Sequence, residues 1–336
     1  MSTTVIQQTK TRLYGIDILK ILSCFSVILV HAVVFRVEKV DASLSWMMAN
    51  GINAAAREAV PVFFMISGAL FLPKETPAYA DFFKKIAINY GLPLLGGLIT
   101  YKLMAISQGD PTSALDGVLY NVHQNLGFHL WFMWTFLGIM LITPLLRLMV
   151  RQTRAVWLFL ALWLAYCIIE PWLRPHGIAF PIDNMLFMWA TGYFVAGYAL
   201  FRLPWRIAPG WLLAGMVVTV ALMTALTARD SLAAGQLTLL YYNNPSPLLA
   251  LYSACVFRLG VQLPTGPRPR LVQTVAGATF TIYIYHILAL SLLSRFIGPT
   301  TLPMRVFVHT PLAFAACLGL HQCGKRLPCL RLFFRG

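Results

Sequence analysis

Leu13-Tyr-Gly-Ile-Asp17-Ile-Leu-Lys20-Ile-Leu-Ser-Cys24-Phe-Ser-Val-Ile-Leu-Val-His31-Ala-Val-Val-Phe35 is an apolar run with a carboxylate, an ammonium and an imidazole set into it. It follows Lys10 and Arg12 closely, as a secretory signal would. It exceeds a typical signal core, however, and reaches the roughly 20 residues that cross a bilayer as a helix. A cleaved leader has no use for buried charge, so the run reads as a first transmembrane helix retained in the protein.

Further runs of spanning length follow: Trp46 to Leu72 with a polar first half, Phe82 to Ile106, Leu130 to Val150, Val156 to Trp172 and Ile182 to Phe201. Trp211 to Thr227, Pro247 to Leu263, Val272 to Ile297 and Pro303 to Leu320 complete the series. The chain is 59% hydrophobic and 11% charged, against about 25% charged in a soluble domain. Mean hydropathy is +0.72. The expectation is an all-α integral membrane protein of about ten transmembrane helices, folded as a single domain over 1–336, since no polar interval could hold a separate module.

The charges between the runs set the orientation, because cytoplasmic connections collect Lys and Arg. One side receives Lys10, Arg12, Lys74, Lys84, Lys85, Arg147, Arg151, Arg154, Arg202, Arg206, Arg258, Arg268, Arg270, Lys325, Arg326, Arg331 and Arg335. The other receives Arg36, Lys39, Arg174, Arg229, Arg295 and Arg305, with Lys20, Arg57 and Lys102 inside helices. Both termini are therefore expected in the cytoplasm, with 1–12 a short leading segment and 321–336 a basic tail. The formal net charge of +15 reads as topology rather than as a nucleic-acid surface, and no nucleic-acid partner is expected. Two outer intervals, Ser107 to His129 and Arg229 to Ser246, are long enough to cover a cavity mouth. No internal repeat is visible, which disfavours repeat-built transporters. The cysteines show neither CxxC spacing nor a Cys/His cluster, so disulfides and zinc are not expected.

An ionisable group in hydrocarbon costs at least about 2.5 to 3.5 kcal/mol and asks for a partner or a task. Asp17 and Lys20 lie one helical turn apart. Lys20 and His31 are separated by eleven positions, which returns to nearly the same face roughly 16 Å further along the axis. All three then look into one interior groove. The plainer alternative is a snorkelling Lys20, an Asp17 that caps the helix start and a His31 bonded to a backbone carbonyl. The second run adds Arg57 and Glu58 before Val60-Pro61-Val62-Phe63-Phe64-Met65-Ile66-Ser67-Gly68. There Pro61 reads as a kink and Ser67-Gly68 as a packing notch, or Ser67 lines a cavity. His129-Leu-Trp131-Phe132 opens the fourth run; an interfacial aromatic belt accounts for Trp131 and Phe132 but less well for His129. Tyr283-Ile-Tyr285-His286 lies in the ninth, as interhelical contacts or as cavity lining. The GxSxG, GxxxxGK[ST], HExxH and GxGxxG motifs are absent from the sequence.

Together these segments resemble the acyltransferase-3 family of membrane O-acyltransferases. Asp17-Ile-Leu-Lys20, ten residues and His31 resemble that family's first-helix pattern of Asp, Arg or Lys, ten residues and His. Pro61 to Gly68 resembles its P-x-F-F-x-I-S-G segment, His129 to Phe132 its H-L-W-F entrance, and Tyr283 to His286 its Y-x-x-H. The four occur in the family's order across nearly the whole chain. By length and form the likeness is greatest to the compact branch that includes the enterobacterial common antigen O-acetyltransferase. Lys20 stands where Arg is more usual in the family, which gives up bidentate phosphate binding, and no extra esterase-like domain accompanies the helices.

The resemblance implies a multi-pass protein of the bacterial inner membrane that transfers an acyl group, above all acetyl from acetyl-CoA, to a hydroxyl of a cell-surface or lipid-linked glycan. Acetyl-CoA is then the donor substrate, no metal is required, and glycan-assembly proteins are candidate partners beside the lipid bilayer. On this reading His31 is a general base or a transient acyl carrier, Lys20 holds the nucleotide phosphates, and Asp17 orients or balances Lys20. Arg57, Ser67, His129, Trp131, Tyr283 and His286 are candidates for the donor or acceptor cavity. Two rival readings use the same residues: a transporter for a small polar solute or acyl group, and a non-catalytic subunit of a glycan-assembly complex.

Overall fold

The computed structural model describes residues 3–75, 78–107, 128–173, 189–263, 269–297 and 301–334. Among them the secondary structure is helical throughout, and each apolar run is carried by a helix. These are α1 (Thr3–Val37), α2 (Leu44–Phe71), α3 (79–107), α4 (Trp131–Met149), α5 (153–173), α6 (Trp189–Arg202), α7 (Pro209–Ala234), α8 (Pro247–Val261), α9 (Arg270–Ile297) and α10 (Leu302–Arg326). Six of them, α1, α2, α4, α7, α9 and α10, are long and apolar enough to cross a membrane. The Thr153–Tyr166 part of α5 and the whole of α8 are shorter apolar helices. The chain is thus a multi-pass membrane protein. Residues 182–188 of the sixth run and 108–127 of the first long interval lie outside the described residues.

Prolines shape these helices. In α2 the α-helix is interrupted by a turn at Arg57–Glu58, between Leu44–Ala56 and Ala59–Phe71, with both residues still in right-handed helical dihedrals. Pro61 has no N–H to give the carbonyl four residues back, at Arg57, and its ring crowds that carbonyl. The expected kink is therefore a break, placed one turn before the proline. Three helices widen into π geometry, at Ala87–Gly91, Leu164–Ile169 and Arg305–His309. Each widening is followed two residues later by a proline, Pro93, Pro171 or Pro311, and a π turn relieves the same missing N–H without ending the helix.

The chain packs as two compact units, Met1–Glu75 with Leu145–Ala276 and Thr76–Pro144 with Gly277–Gly336. In the first, α2 and α6 meet backbone to backbone. A Cβ on Gly68 would run into the Phe194 carbonyl, and one on Gly197 into the Met65 backbone. α1 and α8 touch in the same way, Gly15 lying against the Gly260 carbonyl. Arginines tie the helix ends together. Arg147, in the last turn of α4, donates to the carbonyl of Phe71 at the end of α2 (3.0 Å). Arg258, in the last turn of α8, donates to the carbonyls of Leu200 (2.7 Å) and Trp205 (2.6 Å) and to Gln262 Oε1 (2.9 Å).

Charge patterning predicts both arginines in connections; instead they lie within helices, 6% and 4% exposed, and serve as staples. Their bonds bring the end of α4 to the end of α2, and the end of α8 to the end of α6. Replacing Arg258 with methionine should lower the thermal unfolding midpoint in detergent by the equivalent of about 2 to 4 kcal/mol, since bonds to a charged donor are worth roughly 1.5 to 3 kcal/mol each. Arg258→Lys, which cannot fork between two carbonyls, should recover only part of the loss.

At the opposite end of this unit, Arg36 closes the α1–α2 connection. Its guanidinium bonds both Asp41 oxygens (2.8 Å) and the Lys39 carbonyl (2.7 Å). The Ser43 hydroxyl and Arg36 hold the Asp41 carboxyl down at about 2. The second long interval is shorter than expected because α7 continues past Arg229 to Ala234 and ends at Gly235 with φ 65°, a left-handed cap that suits glycine. The remainder turns inward, burying Tyr241 and Tyr242 against Ala54, Met223, Leu249 and Tyr252.

In the second unit α9 is central. Tyr90 of α3 packs against the rings of Phe136 (4.9 Å) and Phe280 (5.5 Å). The basic tail is not loose: α10 runs to Arg326, and beyond it Phe334 stacks on Tyr285 at 5.9 Å while the Phe333 ring covers Gly96.

Candidate functional site

The first-helix residues lie on an unbroken α-helix, so their spacing is preserved. Asp17 is 7% exposed, and Lys20 and His31 are partly buried. Cys24 and Val27 fall between Lys20 and His31 on the same face and are 0% and 5% exposed, whereas Leu22 on the far side is 53% exposed. The stripe 20–24–27–31 is therefore turned into protein along its length. The Gly15–Gly260 contact puts the Asp17–Lys20 end of α1 with the Arg258 staple, and His31 lies toward the end closed by Arg36.

On α2, Arg57 donates Nε to Asn53 Oδ1 (3.3 Å) and sits over the Tyr242 ring at 5.5 Å, a cation–π contact. Ser67 donates its hydroxyl to the Phe63 carbonyl (2.8 Å), and Gly68 is the α6 contact already described. For Gly68 the packing notch is what the structure displays.

The second unit brings three expected residues together. His129 Nε2 bonds the Ile284 carbonyl (3.0 Å), Tyr283 donates its hydroxyl to the His129 carbonyl, and His286 Nδ1 bonds the Tyr283 carbonyl (2.6 Å). A carbonyl only accepts, so His129 carries its proton on Nε2 and His286 on Nδ1. The two imidazole rings lie 5.0 Å apart. Tyr101 completes the group; its hydroxyl donates to Ile284 O (2.9 Å) and its ring meets His129 at 5.2 Å. Nothing in the sequence singles out Tyr101, because a tyrosine inside an apolar run carries no charge to mark it. Trp131 is 37% exposed and stays out of this group, in the manner of an interfacial aromatic. The cluster positions two imidazoles and two phenols around α9.

Among the described residues no group of three or more His, Cys, Asp or Glu side chains is placed to hold a metal ion. The acyltransferase-3 family model, an acyltransferase domain, matches residues 13–321. The chain belongs to that family and is a membrane acyltransferase. No curated protein and no solved structure matches it.

Proposed function

We propose that this protein transfers an acyl group, acetyl above all, from cytoplasmic acetyl-CoA to a hydroxyl of a cell-surface or lipid-linked glycan. It does so from the bacterial inner membrane with both termini in the cytoplasm, as in the compact branch named above. The observation that carries this reading is the inward stripe of α1, with Lys20 at one end and His31 at the other. Their axial offset, roughly 16 Å, is comparable to an extended pantetheine arm. Lys20 holds the nucleotide phosphates, Asp17 balances it, and the thioester reaches His31.

A hydroxyl alone is a poor nucleophile, and a neutral imidazole takes its proton near pH 7. The acceptor oxygen then bonds the thioester carbonyl carbon, the C–S bond breaks, and the proton passes to the departing thiolate. A route through an acyl-His31 intermediate gives the same products. Arg57 lines the acceptor side or donates to the developing oxyanion.

Mass spectrometry of envelope glycans from cells with and without the protein tests this. A base-labile acetyl increment that depends on the protein is expected. Identical glycan spectra, or solute uptake into vesicles without any ester product, would overturn it.

A further inference from the structure

The first half of α2 carries Asn50, Asn53 and Arg57 at i, i+3 and i+7, which stacks them on one helical face, and Glu58 follows at the break. Asn50, Asn53 and Glu58 are 0%, 1% and 4% exposed. Each is anchored by one arm and open on the other. Asn50 donates Nδ2 to the Thr224 carbonyl (2.9 Å), and its Oδ1 has no hydrogen-bond partner among the described residues. Asn53 Oδ1 accepts from Arg57 while its Nδ2 has no such partner. Glu58 is held by the Ser26 hydroxyl, and its Oε2 is likewise open. A buried polar atom left unmet costs roughly 1 to 3 kcal/mol. Three beside one helix break call for an occupant.

The surroundings are aromatic. Tyr242, 1% exposed, lies under the Arg57 guanidinium, and its hydroxyl donates to the Asn50 carbonyl (3.3 Å). Trp172 meets Tyr241 edge to face at 5.5 Å, and its indole N–H has no partner among the described residues. The open atoms define the ligand. An amide oxygen accepts, an amide N–H and an indole N–H donate, and a carboxyl group does either. An anion would leave the acceptors unmet, a cation the donors, and an alkyl chain all of them. A ring of hydroxyls meets both kinds and offers C–H faces to the tyrosine and tryptophan rings.

We propose that Asn50, Asn53, Glu58, Trp172 and Tyr242 bind one neutral sugar ring of the acceptor, an inference that rests on the glycan-acceptor reading. The full chain in lipid nanodiscs is titrated with N-acetylglucosamine and methyl α-glucoside while tryptophan fluorescence is read, with acetate and choline as charged controls. The sugars should give a saturable change and the ions none. Asn53→Asp keeps the oxygen that anchors Arg57 and replaces the open donor with a carboxyl oxygen. It should weaken sugar binding, and raise the acceptor KM, about tenfold, with the acyl-CoA KM unchanged.

No saturable sugar signal in the wild type, or wild-type sugar affinity in the variant, overturns the proposal. Transfer activity without sugar binding sinks this inference alone. Sugar binding weakened by Asn53→Asp in a protein that transfers no acyl group sinks the proposed function and leaves the sugar site standing.

Discussion

His31→Ala and His31→Gln should each lower acyl transfer to glycan by at least about 100- to 10,000-fold, the range general acid–base groups contribute, while membrane abundance stays at the wild-type level. Glutamine is the sharper variant. It keeps a polar side chain of similar reach but cannot take a proton near pH 7. His31 is only partly buried, on a regular helix whose packing rests on Ile28, Ala32 and Val33, each 0% exposed. Its replacement therefore removes chemistry and leaves the core of α1 intact. Quantifying glycan esters against immunodetected protein checks this, and wild-type ester in both variants would remove His31 from the mechanism.

A single methyl group at Gly68 or Gly197 should cost the protein its fold in the membrane. Gly68 lies against Phe194 and Gly197 against Met65 across α2 and α6, and a Cβ on either meets carbonyl backbone, which cannot swing aside as a side-chain tip can. Forcing the helices apart costs roughly 1 to 3 kcal/mol in an ordinary core, and more where the obstacle is main chain. Gly68→Ala and Gly197→Ala should each lower the monodisperse yield and the thermal midpoint in detergent. The double variant should fall short of the sum, because both act on one contact. Gly138 is the control, since a Cβ there would meet nothing within 4 Å among the described residues. Its alanine variant should keep or gain stability, by up to about 1 kcal/mol of helix propensity. An unchanged midpoint in Gly68→Ala would refute the backbone contact.

The helices were legible because an apolar run of spanning length has one stable outcome in a bilayer: a helix that satisfies its own backbone. α7 outran its apolar stretch because Thr227 to Ala234 are largely polar or small yet still form helix, closed by Gly235. The break at Arg57 and the three π turns were written in Pro61, Pro93, Pro171 and Pro311, and a proline one turn further along is the signal to read for them. The α1 stripe was legible because period and burial coincide there. The His129–Tyr283–His286 group was legible only as three separate residues, since their meeting depends on carbonyl bonds to α9 that no spacing encodes. Asn50 and Asn53 escape a reading of the sequence for a related reason. Uncharged amides at the polar start of an apolar run look like an interfacial end, and burial alone marks them out.

The central claim is that α1 divides the labour, with donor binding at Lys20 and proton transfer at His31. Steady-state transfer in inverted membrane vesicles, with acetyl-CoA varied at saturating acceptor, tests it most directly. Lys20→Ala should raise the acetyl-CoA KM about tenfold or more, the equivalent of roughly 1.4 kcal/mol, with kcat little changed, and His31→Ala should collapse kcat with that KM preserved. The same pattern from both variants, or an unaltered KM in Lys20→Ala, would contradict the account.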